Sequence, residues 1–180
     1  MNLPNKITLA RVILVPIFVV VMIMDAIPYN NYIACAIFCI ACASDFLDGY
    51  LARKNNLVTN FGKFADPLAD KMLVSSALIC LAGMGRIYSW IVIVIICREF
   101  IISGLRLIAV DNGVVIAASY WGKFKTVAQM FMSIFLIANL PGTAIHIIEQ
   151  ILIWLSLVLT VISLVDYMYK NRKIILEGGM

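Results

Sequence analysis

Residues 45–70 read DFLDGYLARKNNLVTNFGKFADPLAD, and the reading of this stretch decides the fold. It places four aspartates, Asp45, Asp48, Asp66 and Asp70, in a 180-residue chain that is 63% hydrophobic and 13% charged. They form two pairs, with one spacing of three residues and one of four. Residues so spaced share a face of an α-helix, so each pair presents a carboxylate edge. Two such edges facing each other make a site for hard divalent cations, Mg²⁺ above all, with Mn²⁺ as a natural substitute. No His or Cys lies within the stretch, which argues against structural zinc.

Outside the stretch the chain is apolar. A mean hydropathy of +1.01 excludes an ordinary soluble core and predicts an all-α integral membrane protein. The net charge of +4, from 14 basic residues, is too small for a nucleic-acid footprint. Cys35, Cys39, Cys42, Cys80 and Cys97 lie in apolar runs without CxxC pairs and read as small packing residues. The first apolar run carries Lys6, Thr8 and Arg11, and no small-residue cleavage site follows Met24, so it is expected to remain as a span.

Six spans are predicted within a single domain, residues 1–180. They cover about residues 6–25, a second from Asn31 that needs the polar Asp45 region to reach across, 62–81, 88–110, 122–139 and 145–169. DAIPYNN at 25–31, GMGR at 83–86 and Leu140-Pro141-Gly142 read as turns. Pro16 falls inside the first span as a tolerated kink. Lys6, Arg11, Arg53, Lys54, Lys63, Lys123, Lys125, Lys170, Arg172 and Lys173 gather at one set of helix ends, whereas the opposite loops offer Arg86. The positive-inside rule therefore places both termini in the cytoplasm of a cell-membrane protein.

At 1.5 Å rise per residue, Asp66 and Asp70 lie roughly 6 and 12 Å into the third helix, and Asp45 and Asp48 reach a similar level on the second. Arg98 is the deepest charge, roughly 15 Å from either end of the fourth. Four aspartates facing lipid would cost on the order of 10 kcal/mol, so they are expected to line a polar cavity open to the cytoplasm. Intramembrane acids also mark ion pathways, which makes a cation transporter the rival from another class. The nearly uncharged outer halves of spans one, five and six favour an enzyme. A structural metal-binding membrane protein would leave the surrounding Arg and Lys residues unexplained.

The pattern D-x-x-D-G-x-x-A-R, eight residues, G-x-x-x-D-x-x-x-D is met in full by Asp45, Asp48, Gly49, Ala52, Arg53, Gly62, Asp66 and Asp70. With it, the chain resembles the CDP-alcohol phosphotransferases over essentially its whole length. PNKITLAR at the start, CREF, SGLR and GKFKT make it similar to the bacterial branch that forms phosphatidylglycerophosphate. The resemblance implies that CDP-diacylglycerol is the donor and glycerol 3-phosphate the acceptor, with CMP leaving. It implies two divalent ions held by Asp45, Asp48, Asp66 and Asp70, with Asp70 also the general base. It assigns Asp48, Gly49 and Arg53 to the nucleotide, and it suggests a homodimer surrounded by membrane lipids. Thr8, Arg11, Arg98, Arg106, Lys123 and Lys125 are our candidates for the acceptor's phosphate. Sister enzymes with inositol phosphate, serine or phosphatidylglycerol as acceptor stand as the alternative. Glu99 reads as a structural partner for another helix, Lys123 and Lys125 also fit simple membrane anchors, and His146 reads as an outer surface residue.

Overall fold

The computed structural model of the chain describes residues 3–24, 26–54, 60–111, 116 and 119–172, with side chains described for 7–24, 26–44, 68–110, 116 and 119–172. It contains six α-helices and, among the described residues, no strand: α1 Leu3–Ile23, α2 Asn30–Lys54, α3 Asn60–Gly83, α4 Ser89–Asp111, α5 Tyr120–Ala138 and α6 Thr143–Lys170. Each predicted span corresponds to one of these helices, with ends displaced by a few residues.

The turns explain the ends. Tyr29 takes a left-handed conformation at φ 58°, and its carbonyl accepts from the Ile33 amide at 3.1 Å, the first i+4 bond of α2. After α3, Gly85 is left-handed at φ 71°. Its amide donates to the Ala82 carbonyl and the Arg86 amide donates to Leu81, the paired bonds of a Schellman ending. α5 ends where Asn139 turns left-handed at φ 47°, just ahead of Pro141.

The helices group into two compact units. The first comprises Met1–Arg86 with Ser133–Leu140, so it holds α1, α2, α3 and the last turns of α5. Its core is a stripe on α1, Thr8, Arg11, Val15, Phe18 and Met22, packed with Ala34, Phe38 and Ala41 of α2 and Ala69, Leu73 and Ala77 of α3. All three stripes keep the three-to-four spacing of one helix face. Arg86 closes this unit: its guanidinium donates to the Leu136 and Ile137 carbonyls at 3.1 and 3.3 Å and to Asn31 Oδ1 at 2.9 Å. A cation therefore sits on the exposed carbonyls at the negative end of α5.

The second unit comprises Ile87–Met132 with Pro141–Met180 and holds α4, most of α5 and α6. α4 and α6 run parallel, because Trp90–Trp154, Arg98–Ser163 and Arg106–Tyr167 meet in the same order along both helices. α6 is the one described helix long and apolar enough to cross a membrane. Its 28 residues extend about 42 Å, more than a bilayer's hydrocarbon core.

Candidate functional site

The first unit carries the carboxylates. α2 is a single helix through Lys54, so the polar residues Asp45, Asp48, Gly49 and Arg53 continue the apolar part that precedes them. Asp66 and Asp70 lie in the first half of α3. The side chains of Asp45, Asp48, Arg53 and Asp66 are outside the described residues, but their places along the helices are not. On α2 the buried stripe runs Ala34, Phe38, Ala41, and the same spacing continued arrives at 45 and 48. On α3 a step of three back from buried Ala69 arrives at 66. Asp70 is described: it is partly buried and already engaged by a neighbour.

α1 supplies the other side of this level. The Phe18 and Phe38 rings meet at 6.0 Å, and the short connection through residues 24–29 makes α1 and α2 antiparallel. Moving from that contact in opposite sequence directions brings Arg11 level with Asp45, and Thr8 level with Asp48. Thr8 and Arg11 are both 1% exposed, and each is engaged in an interaction. A guanidinium is buried to that degree only when it has polar or anionic company. Among the described residues no group of three His, Cys, Asp or Glu could hold a metal ion; three of the four aspartates are not in that set.

The second unit carries the cations. Arg98 is buried at 8% and Lys125 at 2%. Arg98 Nε donates to Ser163 Oγ at 3.2 Å, and its Nη1 lies 3.0 Å from Glu99 Oε1. Lys125 Nζ pairs with that same oxygen. Ser163 is in turn held by donating to the Thr160 carbonyl at 2.9 Å. Gly122 packs beside the guanidinium, where even a Cβ would lie 3.5 Å from Arg98 Nη2, an ordinary van der Waals contact. Lys125 is about 7.5 Å from the start of α5, and Ser163 about 10 Å from the end of α6. The Arg98 network is thus shallower on α5 and α6 than its position on α4 alone suggests.

Of the six acceptor candidates, Arg98 and Lys125 come together through Glu99. Arg106 is exposed two turns further along α4, over the Tyr167 ring at 5.8 Å. Lys123 is exposed and lies over Tyr120 at 5.5 Å, apart from buried Lys125. Thr8 and Arg11 belong to the first unit and its carboxylate level. His146 is exposed as expected, but its Nδ1 lies 3.1 Å from Oε2 of buried Glu149, a contact not read from the sequence. Sequence reasoning also passed over Ser156, Thr160 and Ser163, which with Tyr167 form a buried, largely polar stripe on α6. Their spacing of three to four was the available signal.

The chain belongs to the CDP-alcohol phosphatidyltransferase family, whose model matches residues 1–162. It is 46% identical over 183 aligned positions to a Bacillus subtilis protein named "CDP-diacylglycerol--glycerol-3-phosphate 3-phosphatidyltransferase", covering 94% of this chain and 95% of that one. A Haemophilus influenzae protein of the same name is 38% identical over 98% of this chain and 97% of its own. A Mycobacterium tuberculosis protein named "Probable phosphatidylglycerophosphate synthase" is 38% identical over 99% of this chain and 85% of its own.

Proposed function

We propose that this chain transfers a phosphatidyl group from CDP-diacylglycerol to the 1-hydroxyl of sn-glycerol 3-phosphate, giving phosphatidylglycerophosphate and CMP. The similarity to the Bacillus subtilis relative, 46% over nearly the whole of both chains, carries the choice of donor and acceptor. The complete aspartate motif supports the reaction type.

The reaction forms a bond from the acceptor's 1-oxygen to the phosphorus bearing the diacylglycerol, and breaks the bond from that phosphorus to CMP. Asp70 takes the proton of the attacking hydroxyl. Asp48, Gly49 and Arg53 hold the nucleotide, and Arg98 and Lys125 are the cations best placed within their unit for the acceptor's phosphate. Thr8 and Arg11, level with Asp45 and Asp48, serve the carboxylate side. The donor set fits a hard divalent ion, because four carboxylates at core-stripe positions or beside one present hard oxygen ligands. Asp45, Asp48, Asp66 and Asp70 would hold two Mg²⁺, or Mn²⁺, and such ions offset developing charge on phosphoryl oxygens.

The setting is a membrane, with six spans, both termini cytoplasmic, and a polar cavity opening to that side; the family resemblance adds a homodimer. The burial pattern supports a lipid surround. Ile13, Ile79, Ile93, Phe100, Leu107, Phe131, Ile151 and Val165 are exposed, while Arg11, Arg98, Lys125, Gln129, Ser156 and Thr160 are buried. Such a large apolar exterior over polar interior residues suits a hydrocarbon solvent, not water.

The test is an acceptor screen on purified protein with Mg²⁺ and CDP-diacylglycerol. CMP release is expected with glycerol 3-phosphate alone. Equal turnover with serine, inositol phosphate or phosphatidylglycerol would remove the acceptor assignment and leave only the transferase class.

A further inference from the structure

Three cations of the second unit stand apart from the buried Arg98 cluster. Arg106 lies near the end of α4, Lys123 near the start of α5 and Arg172 just past the end of α6, and all three are exposed. Each rests over a tyrosine ring: Arg106 over Tyr167 at 5.8 Å, Lys123 over Tyr120 at 5.5 Å and Arg172 over Tyr169 at 5.1 Å. Among the described residues none of the three pairs with a carboxylate. The nearby Asp166 is taken up by Lys170, 2.8 Å away. Tyr120, Trp121, Phe124 and Tyr169 are exposed beside these cations.

Their level along the helices is that of a membrane interface. Trp90 and Trp154 mark the other end of the unit, where their rings meet at 6.1 Å. From there Arg106 is roughly 24 Å along α4 and Arg172 roughly 27 Å along α6, close to the hydrocarbon thickness of a bilayer. Aromatic rings at both ends with cations at one end form interfacial belts, the basic one toward the cytoplasmic leaflet. A ring beneath a guanidinium or ammonium steadies the cation and leaves N–H donors free on its outer side. We infer that Arg106, Lys123 and Arg172 form a basic rim that binds the headgroup phosphates of anionic phospholipids in the cytoplasmic leaflet. The leaflet supplies those phosphates at the depth of the rim, and its negative surface potential draws exposed Lys and Arg toward it. Zwitterionic lipids are held less well, because their own ammonium offsets the phosphate charge. The rim thus differs in its work from buried Arg98 and Lys125, and Arg106 and Lys123 pass from the acceptor to the lipid. The inference rests on the membrane setting proposed above.

Trp121, the one tryptophan of the chain at this end, serves as the reporter. With Trp90 and Trp154 changed to Phe, its fluorescence is quenched by a brominated lipid lying beside it. Brominated phosphatidylglycerol and, separately, brominated phosphatidylcholine in reconstituted vesicles then read the preference between the two lipids. The unaltered rim should favour phosphatidylglycerol severalfold, and each of Arg106→Gln, Lys123→Gln and Arg172→Gln should weaken that preference by up to about fivefold. Arg106→Lys, Lys123→Arg and Arg172→Lys together keep the charge and should keep the preference. High salt should erase it in the unaltered rim, because exposed charges are screened, and that arm decides if the glutamine variants do not fold. Equal quenching by both lipids overturns the inference, as does a preference that survives the triple glutamine change or high salt. Displacement of phosphatidylglycerol by glycerol 3-phosphate returns Arg106 and Lys123 to the acceptor and also overturns it. Protein that stays outside the vesicles and is quenched by neither lipid overturns the membrane setting as well, whereas equal quenching by both leaves that setting intact.

Discussion

The two units of this protein gather charge by different means. The first carries its aspartates on two consecutive helices, α2 and α3, within one 26-residue stretch, at positions fixed by helical spacing. The second draws Arg98 and Glu99 from α4, Lys125 from α5 and Ser163 from α6, and only side-chain contacts across helices make them a group. A motif made locally can be read along the chain, whereas a cluster made by packing cannot. The same contrast predicts how each unit fails: loss of a carboxylate should act on the chemical step, and loss of a cation on acceptor affinity.

The largest effect is expected at Asp70. Asp70→Asn should lower kcat by about 10²- to 10⁴-fold, the usual worth of a positioned general base, while CDP-diacylglycerol still binds. Single-turnover CMP release together with nucleotide binding checks this. Near-normal turnover would place the proton elsewhere, and the first unit would lose its chemical role.

Arg98→Ala should come next and act on the other parameter. Loss of a charged hydrogen bond worth roughly 1.5–3 kcal/mol raises the KM for glycerol 3-phosphate by about tenfold to a hundredfold, with the KM for the CDP-lipid little changed. Steady-state kinetics varying each substrate in turn would show it. A rise confined to the CDP-lipid would reverse the division of labour between the units.

The smallest effect on activity is expected at Arg86, whose work is structural. Arg86→Met removes the donors that hold the Leu136 and Ile137 carbonyls and Asn31. At about 1–3 kcal/mol for such bonds, Tm should fall by roughly 2–10 °C in a thermal melt while both KM values hold. A kinetic defect with unchanged Tm would show that the first unit depends on Arg86 for more than closure.

Much of this was legible without coordinates. Six helices followed from apolar runs and turn residues, and the family followed from eight positions that match a known pattern without departure. The boundaries moved because chain reversal acts on single residues: Gly85 and Asn139 set the ends of α3 and α5 through left-handed backbone, and Tyr29 sets the start of α2 in the same way. Arg86 could be seen as the lone cation of the opposite loops, but not as the partner of α5, which lies some 50 residues further along the chain. Glu99 could be seen to need a partner on another helix. That Lys125 supplies it, and that Arg98 beside it shares the same oxygen, required the fold.

The sequence by itself determined the helical class, the carboxylate motif and the faces on which those carboxylates fall, since helix periodicity and apolar run length are local properties. The tertiary structure decided which cations meet. It placed Thr8 and Arg11 at the level of Asp45 and Asp48, joined Arg98 to Lys125 through Glu99, and left Lys123 and Arg106 exposed over aromatic rings. The physical reason is reach: an ion pair forms across a few ångströms of space whatever the separation in sequence, and in a chain with few charges that proximity gives each one its role.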